Sequence, residues 1–134
     1  MTASELPTDV VDFLARHIDS VEQLETLLLL HREPERMWNA TEVARALYSR
    51  PESVGRRMAA LHLQGLLAVS EEEPEPCFRY APDTPETDAV LGRLADAYRE
   101  RRTRIVTLIA SRPMDNVRAF ADAFRIRKDP PKEK

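Results

Sequence analysis

The chain has 134 residues, a net charge of −3, 43% hydrophobic and 32% charged residues, which describes one globular domain long enough to bury a core of its own. Its longest apolar run, Leu27 to Leu30, falls far short of the roughly 18 residues a membrane helix needs, and Met1-Thr-Ala-Ser-Glu lacks the basic-then-apolar order of a secretory leader, so a cytoplasmic protein without membrane contact is expected. The one cysteine, Cys77, excludes an internal disulfide and a cysteine-based zinc site; beside Phe78 it is expected to be structural, a redox role having only Arg79 nearby in sequence to lower its pKa.

Charge is segregated along the chain. Residues 1–35 carry eight acids and two bases, residues 36–69 five bases and two acids, residues 70–89 seven acids and one base, and residues 90–134 twelve bases and six acids. The segment 36–69 is therefore locally positive inside an acidic protein, a distribution compatible with steering toward nucleic acid.

In chain order, Leu6-Pro7-Thr8-Asp9 opens a first helix, with Thr8 as its cap and Val10, Phe13, Leu14 and Ile18 as its apolar stripe. A second helix is expected over 21–32, with Leu24, Leu27, Leu28 and His31 on its inner side, ending before Pro34. Met37-Trp38 reads as a short strand. Asn39, with Glu42 three residues on, is a capping-box start for a third helix carrying Val43, Ala44 and Leu47 on one face. Pro51 suits the first turn of a fourth helix, capped by Ser49 or Arg50. That helix buries Val54, Met58 and Leu61, ends at Gly65, and offers Ser53, Arg56, Arg57, Ala60 and Gln64 on its other side. Leu67 and Val69, then Phe78 and Tyr80, alternate with smaller or polar neighbours across an acidic turn, the pattern of a β-hairpin with one buried face.

A long helix is expected over 85–111, with Thr84 as cap and Pro85 at its first position. Leu91, Leu94, Tyr98, Ile105, Leu108 and Ile109 recur close to a 3-4 repeat, interrupted by Arg101. Such a stripe must be buried in the same chain or in a second copy, and a homodimer is the expectation. The outer face, Arg99-Glu-Arg-Arg-Thr-Arg104, is basic and reads as a solvated face with a Glu100–Arg104 pair, a phosphate-contacting strip, or a surface docked on the acidic N-terminal helices. Arg112-Pro113 ends this helix. Asp115 caps a last one, lined by Val117, Phe120, Ala121 and Phe124, before a charged tail.

The run Thr41-Glu-Val-Ala-Arg-Ala-Leu47, with Val54-Gly-Arg-Arg-Met58, Leu61 and Gly65-Leu-Leu67, resembles the helix-turn-helix signature of bacterial winged-helix transcriptional regulators. The element order is similar to the multiple-antibiotic-resistance regulator (MarR) group. The resemblance implies a mainly α fold with a small β-hairpin (α+β). It makes 1–134 one winged-helix domain: N-terminal helices (1–35), winged helix-turn-helix (36–82), two C-terminal dimerisation helices (83–128) and a tail (129–134). It further implies a homodimer held by the C-terminal helices through Leu91, Leu94, Tyr98, Ile105, Leu108, Phe120 and Phe124. The fourth helix would enter the major groove of double-stranded DNA with Ser53, Arg56, Arg57 and Gln64. A small-molecule effector would sit between the winged unit and the dimer helices, near Trp38, Tyr48 and Tyr98.

No cofactor and no enzyme chemistry is expected. The three histidines lie in three separate predicted helices, and the three glycines form no phosphate loop. One feature departs from the family pattern. The wing tip reads Glu71-Glu72-Glu73-Pro74-Glu75-Pro76, and carboxylates there repel phosphates. The alternative reading is therefore a winged-helix protein–protein interaction module that does not bind DNA.

Overall fold

The computed structural model describes residues 6–71 and 74–111. Among them are six helices and one hairpin: α1 (Thr8–His17), α2 (Val21–Arg32), α3 (Ala40–Leu47), α4 (Pro51–Leu63), β1 (Leu67–Ser70), β2 (Cys77–Tyr80), α5 (Pro85–Glu100) and α6 (Arg102–Ala110). The fold is the winged helix expected from the sequence, mainly α with a two-stranded antiparallel hairpin. Asp115, Phe120, Phe124 and the tail, like Glu72 and Glu73 of the wing, lie outside the described residues.

Local chemistry sets most of the boundaries. Ser20 accepts a hydrogen bond from the Gln23 N–H at 3.1 Å and starts α2. Asn39 and Glu42 form the full capping box of α3, with backbone-to-side-chain bonds of 2.8 and 3.0 Å. Thr84 accepts from the Thr87 N–H at 3.1 Å, and Pro85 opens α5. The first helix begins differently from expectation. Thr8 is its first residue, Pro7 stands at the cap position, and no side chain caps it.

The core joins all these elements. Val10, Phe13 and Leu14 of α1, with Ile18 just beyond it, meet α5. Leu24, Leu27 and Leu30 of α2 meet Val54, Met58 and Leu61 of α4. Each such side chain contributes about 1.5–3 kcal/mol on burial. α4 also crosses α3 closely: a Cβ added at Gly55 would lie 3.7 Å from that of Ala40, so the two small residues set the spacing. The hairpin pairs Leu67 with Tyr80 and Val69 with Phe78. Its third strand is reduced to a single bridge from Trp38 to Phe78, with N···O distances of 2.8 and 2.7 Å.

The long helix expected over 85–111 is two helices. At Arg101 the backbone leaves helical geometry (φ −136°, ψ 49°), and its N–H bonds back to the Ala97 carbonyl at 2.6 Å. The physical reason is the one apolar position that holds a guanidinium. An unbroken helix would turn Arg101 toward the core along with Leu94 and Ile105, and an unpaired buried charge is prohibitively costly. The break keeps Arg101 half-exposed while Ile105 and Ile109 remain buried.

The basic segment around this break is used within the chain. Arg102 bonds Glu25 of α2 at 3.0 Å, Arg99 bonds Asp96 at 2.5 Å, and Arg93 bonds Asp9 of α1 at 2.5 Å. The expected Glu100–Arg104 pair is not formed, because the helix breaks between its two members. Leu91, Leu94 and Ile105 are fully buried in the core of the single chain, whereas Tyr98 and Leu108 pack against its edge.

Candidate nucleic-acid interface

The two helices of the helix-turn-helix meet at a tight connection. Tyr48 ends α3 in the left-handed region (φ 56°, ψ 44°), and the Ser49 N–H returns to the Ala44 carbonyl at 2.8 Å. Arg50 then takes the cap position of α4 without a side-chain cap bond. Ser49 is engaged elsewhere: its hydroxyl donates to Glu22 of α2.

Glu22 organises this corner. It also accepts from the Ser53 hydroxyl, and from Arg57 Nε–H at 3.0 Å. Burial pushes its pKa up, but the bonds from Ser49, Ser53 and Arg57 outweigh that and hold it below the ordinary carboxylate value. One carboxylate of α2 thus fixes the rotation of α4 about its own axis.

The four residues expected on the reading face of α4 separate accordingly. Ser53 and Arg57 face α2 and are held by Glu22. Gln64 is half-buried, donating to the His17 carbonyl at 3.1 Å, with its Oε1 at 2.5 Å from His17 Nδ1. Arg56 alone projects fully outward. The outward stripe is Glu52, Arg56, Ala59 and Leu63, with Leu63 84% exposed.

That stripe was available from helical phase. Val54, Met58 and Leu61 mark the inner side, and positions 52, 56, 59 and 63 lie opposite them. Positions 53, 57, 60 and 64 lie about a quarter turn away. Arg45 on α3 and Arg50 at the turn are exposed, as is Tyr48 at 98%. The side chains of Arg45, Arg50 and Arg56 form no ion pair or hydrogen bond with a described residue.

The hairpin is anchored to the same unit. Thr41 of α3 donates to Glu75 of the wing at 3.3 Å, which keeps one wing carboxylate against the helix pair. Arg36 lies 3.5 Å over the Trp38 ring and within 3.9 Å of Glu42. The indole is buried beneath it. Cys77 is half-buried, its thiol donating to the Glu75 carbonyl at 3.8 Å. Arg79, on the outer face of β2, is exposed.

Behind the winged unit, two adjoining grooves of about 300 and 900 Å³ share Leu28, Arg32 and Tyr98. Tyr48 lines the smaller one; Trp38 lines neither. The Tyr98 hydroxyl donates to Glu25 at 2.7 Å, and burial, reinforced by that carboxylate, raises its pKa to about 12.

No protein-family model matches the chain, and no curated protein sequence matches it. Solved structures do. A mutant of Staphylococcus aureus MepR bound to an oligodeoxyribonucleotide superimposes with a TM-score of 0.52 at 14% identity, covering 86% of this chain and 83% of that one. MepR itself, described as a transcription regulator of the multidrug efflux pump MepA, gives 0.51 at 14% identity, over 86% and 84%. YusO from Bacillus subtilis gives 0.51 at 13% identity, over 87% and 81%. MepR and YusO are winged-helix regulators of the MarR group, and the likeness at these identities is one of fold.

Proposed function

We propose that the protein is a DNA-binding transcriptional regulator that acts as a homodimer, with α4 in the major groove of double-stranded DNA. The observation that carries this reading is the outward face of the helix-turn-helix. Three arginines without a described partner, Arg45, Arg50 and Arg56, surround the solvent side of α3 and α4 in a chain that is acidic overall. Cations left unpaired amid so many carboxylates suit a polyanion that supplies the missing charge. The likeness to a MepR structure solved with an oligodeoxyribonucleotide supports the same reading.

Leu91, Leu94 and Ile105 are occupied by the core of one chain. A second copy is therefore met by the edges of α5 and α6, through Tyr98 and Leu108, together with Phe120 and Phe124. Sedimentation velocity should report a species of twice the 15.3 kDa chain mass. The larger groove between α2 and α5, with Leu28 and Tyr98 beside Arg32, Arg93 and Asp96, is proposed for an amphipathic effector.

The direct test is fluorescence anisotropy of the protein on its own upstream DNA and on a scrambled duplex, across a salt series. Preferential binding whose logarithm falls steeply with salt is the expected result. Absence of binding at low salt would overturn the proposal. It would favour the protein-docking module instead, for which the acidic wing, with Glu71 exposed, is the supporting feature.

A further inference from the structure

We infer that the outward stripe of α4 reads bases, with Arg56 selecting a guanine, Glu52 a cytosine and Ala59 a thymine methyl. This rests on the DNA-binding reading proposed above. The inference starts from what the structure removes. Ser53, Arg57 and Gln64 have the chemistry to contact DNA, but Glu22 and His17 already hold them against α2 and α1. Reaching a base edge would require breaking those bonds and leaving Glu22 without its partners.

Glu52 and Arg56 have no such engagement with the described residues, and both are exposed. They stand one turn apart at the N-terminal half of α4, the part of a recognition helix that approaches base edges. One helical turn rises about 5.4 Å, so the two side chains reach neighbouring or next-neighbouring base pairs. A guanidinium matches the O6 and N7 acceptors of guanine, and a carboxylate accepts from the cytosine N4 amine. A carboxylate on a DNA-facing helix is otherwise only repulsive, so Glu52 contributes by rejecting sites that lack the donor. Ala59 follows on the same stripe, where its methyl group admits close approach and packs on the thymine methyl. Arg45 and Arg50, off the stripe, are left for phosphates, which fix register and carry no sequence information.

Selection from a randomised duplex library, followed by affinities on the enriched site, tests this. The wild-type chain is compared with Arg56→Lys, which keeps the charge and loses the fork, and with Glu52→Gln. Both positions are exposed, and far-ultraviolet circular dichroism confirms that each variant is folded. The expected result is a wild-type motif containing the three bases. Arg56→Lys should lower the preference for guanine about tenfold while affinity for random duplex stays within about twofold. Glu52→Gln should relax the cytosine position and leave the guanine position intact. A wild-type motif that survives unchanged in both variants would overturn the base assignment while leaving a DNA reader. A wild-type chain that binds no duplex at low salt would remove the DNA-binding reading itself, and the assignment with it.

Discussion

Glu22 of α2 and Arg57 of α4, 35 residues apart in sequence, meet at 3.0 Å with Ser49 and Ser53 bonded to the same carboxylate. Both charged side chains are largely shielded from solvent, so the contact is worth more than an exposed ion pair. Glu22→Ala should destabilise the fold by about 1–2 kcal/mol, because it leaves Arg57 and two hydroxyls without their acceptor. Glu22→Gln should cost less, since the amide oxygen still accepts. Urea denaturation of the two variants checks the order; equal costs would show that a neutral acceptor oxygen at this position contributes nothing and that the carboxylate's charge accounts for the loss.

The pH dependence of stability follows from the same contact and from His31. Burial at the end of α2 lowers the His31 pKa from its ordinary 6.5, against the raising influence of Asp88 and Asp96. Glu22 is held below 4.5 by its three donors, net of burial. A depressed pKa in the folded state means that the unfolded chain binds protons first. Stability should therefore fall as pH drops below about 6.5 through His31 and fall again below about 4.5 through Glu22. At the other end, burial raises the Tyr98 pKa to about 12 and raises that of Tyr80 as well, so stability is lost as pH climbs above 10. Urea midpoints across this range should form a plateau between about pH 6.5 and 10. In Glu22→Gln the step below pH 4.5 should flatten while the step near pH 6.5 remains.

How far the sequence carried this depended on which force set each feature. The span of α2, the capping box of α3, the proline start of α4 and the buried face of the hairpin are local or periodic, and were legible from Asn39, Glu42, Pro51, Gly65 and the alternation about Phe78. The break at Arg101 was visible only as an interruption in the apolar stripe. What decides between a buried charge and a bent helix is the packing of α6 against α2 with Ile105 buried, which a linear reading does not supply. Of the residues expected to face outward on α4, Ser53, Arg57 and Gln64 lie about a quarter turn from its exposed side, because Arg57 was judged by its chemistry. Its acceptor, Glu22, lies on a helix whose position next to α4 is a tertiary fact. Helical phase counted from Val54, Met58 and Leu61 would have selected Glu52, Arg56, Ala59 and Leu63.

Leu94 distinguishes a core role from an interface role. It is fully buried in one chain, so Leu94→Ala should destabilise by about 2–5 kcal/mol through lost burial and the cavity left behind. Leu108→Ala, at the edge of the core, should cost less stability and weaken self-association more. Thermal melts at two protein concentrations, together with sedimentation velocity, read the two effects separately. Loss of the proposed self-association by Leu94→Ala at unchanged stability would show that this residue belongs to an interface.

Two left-handed residues bracket α4 and predict opposite effects of a single Cβ. Gly65 (φ 81°) follows α4, and a Cβ placed there would come within 3.0 Å of the Asp83 carboxylate. That carboxylate can rotate away, so the main cost of Gly65→Ala is the backbone itself, and about 1–2 kcal/mol of destabilisation is expected. Tyr48 (φ 56°) carries the same backbone penalty with a side chain that is 98% exposed and buries almost nothing in return. Tyr48→Gly should therefore stabilise by about 0.5–1 kcal/mol, the relief of left-handed strain exceeding the entropy that glycine adds to the unfolded chain. An exposed aromatic residue kept in an unfavourable backbone region, beside Arg45 and Arg50, points to a use outside the fold. The same variant should bind DNA several-fold more weakly while melting at a higher temperature. If Tyr48→Gly gained stability and lost no affinity, Tyr48 would have no place at the interface.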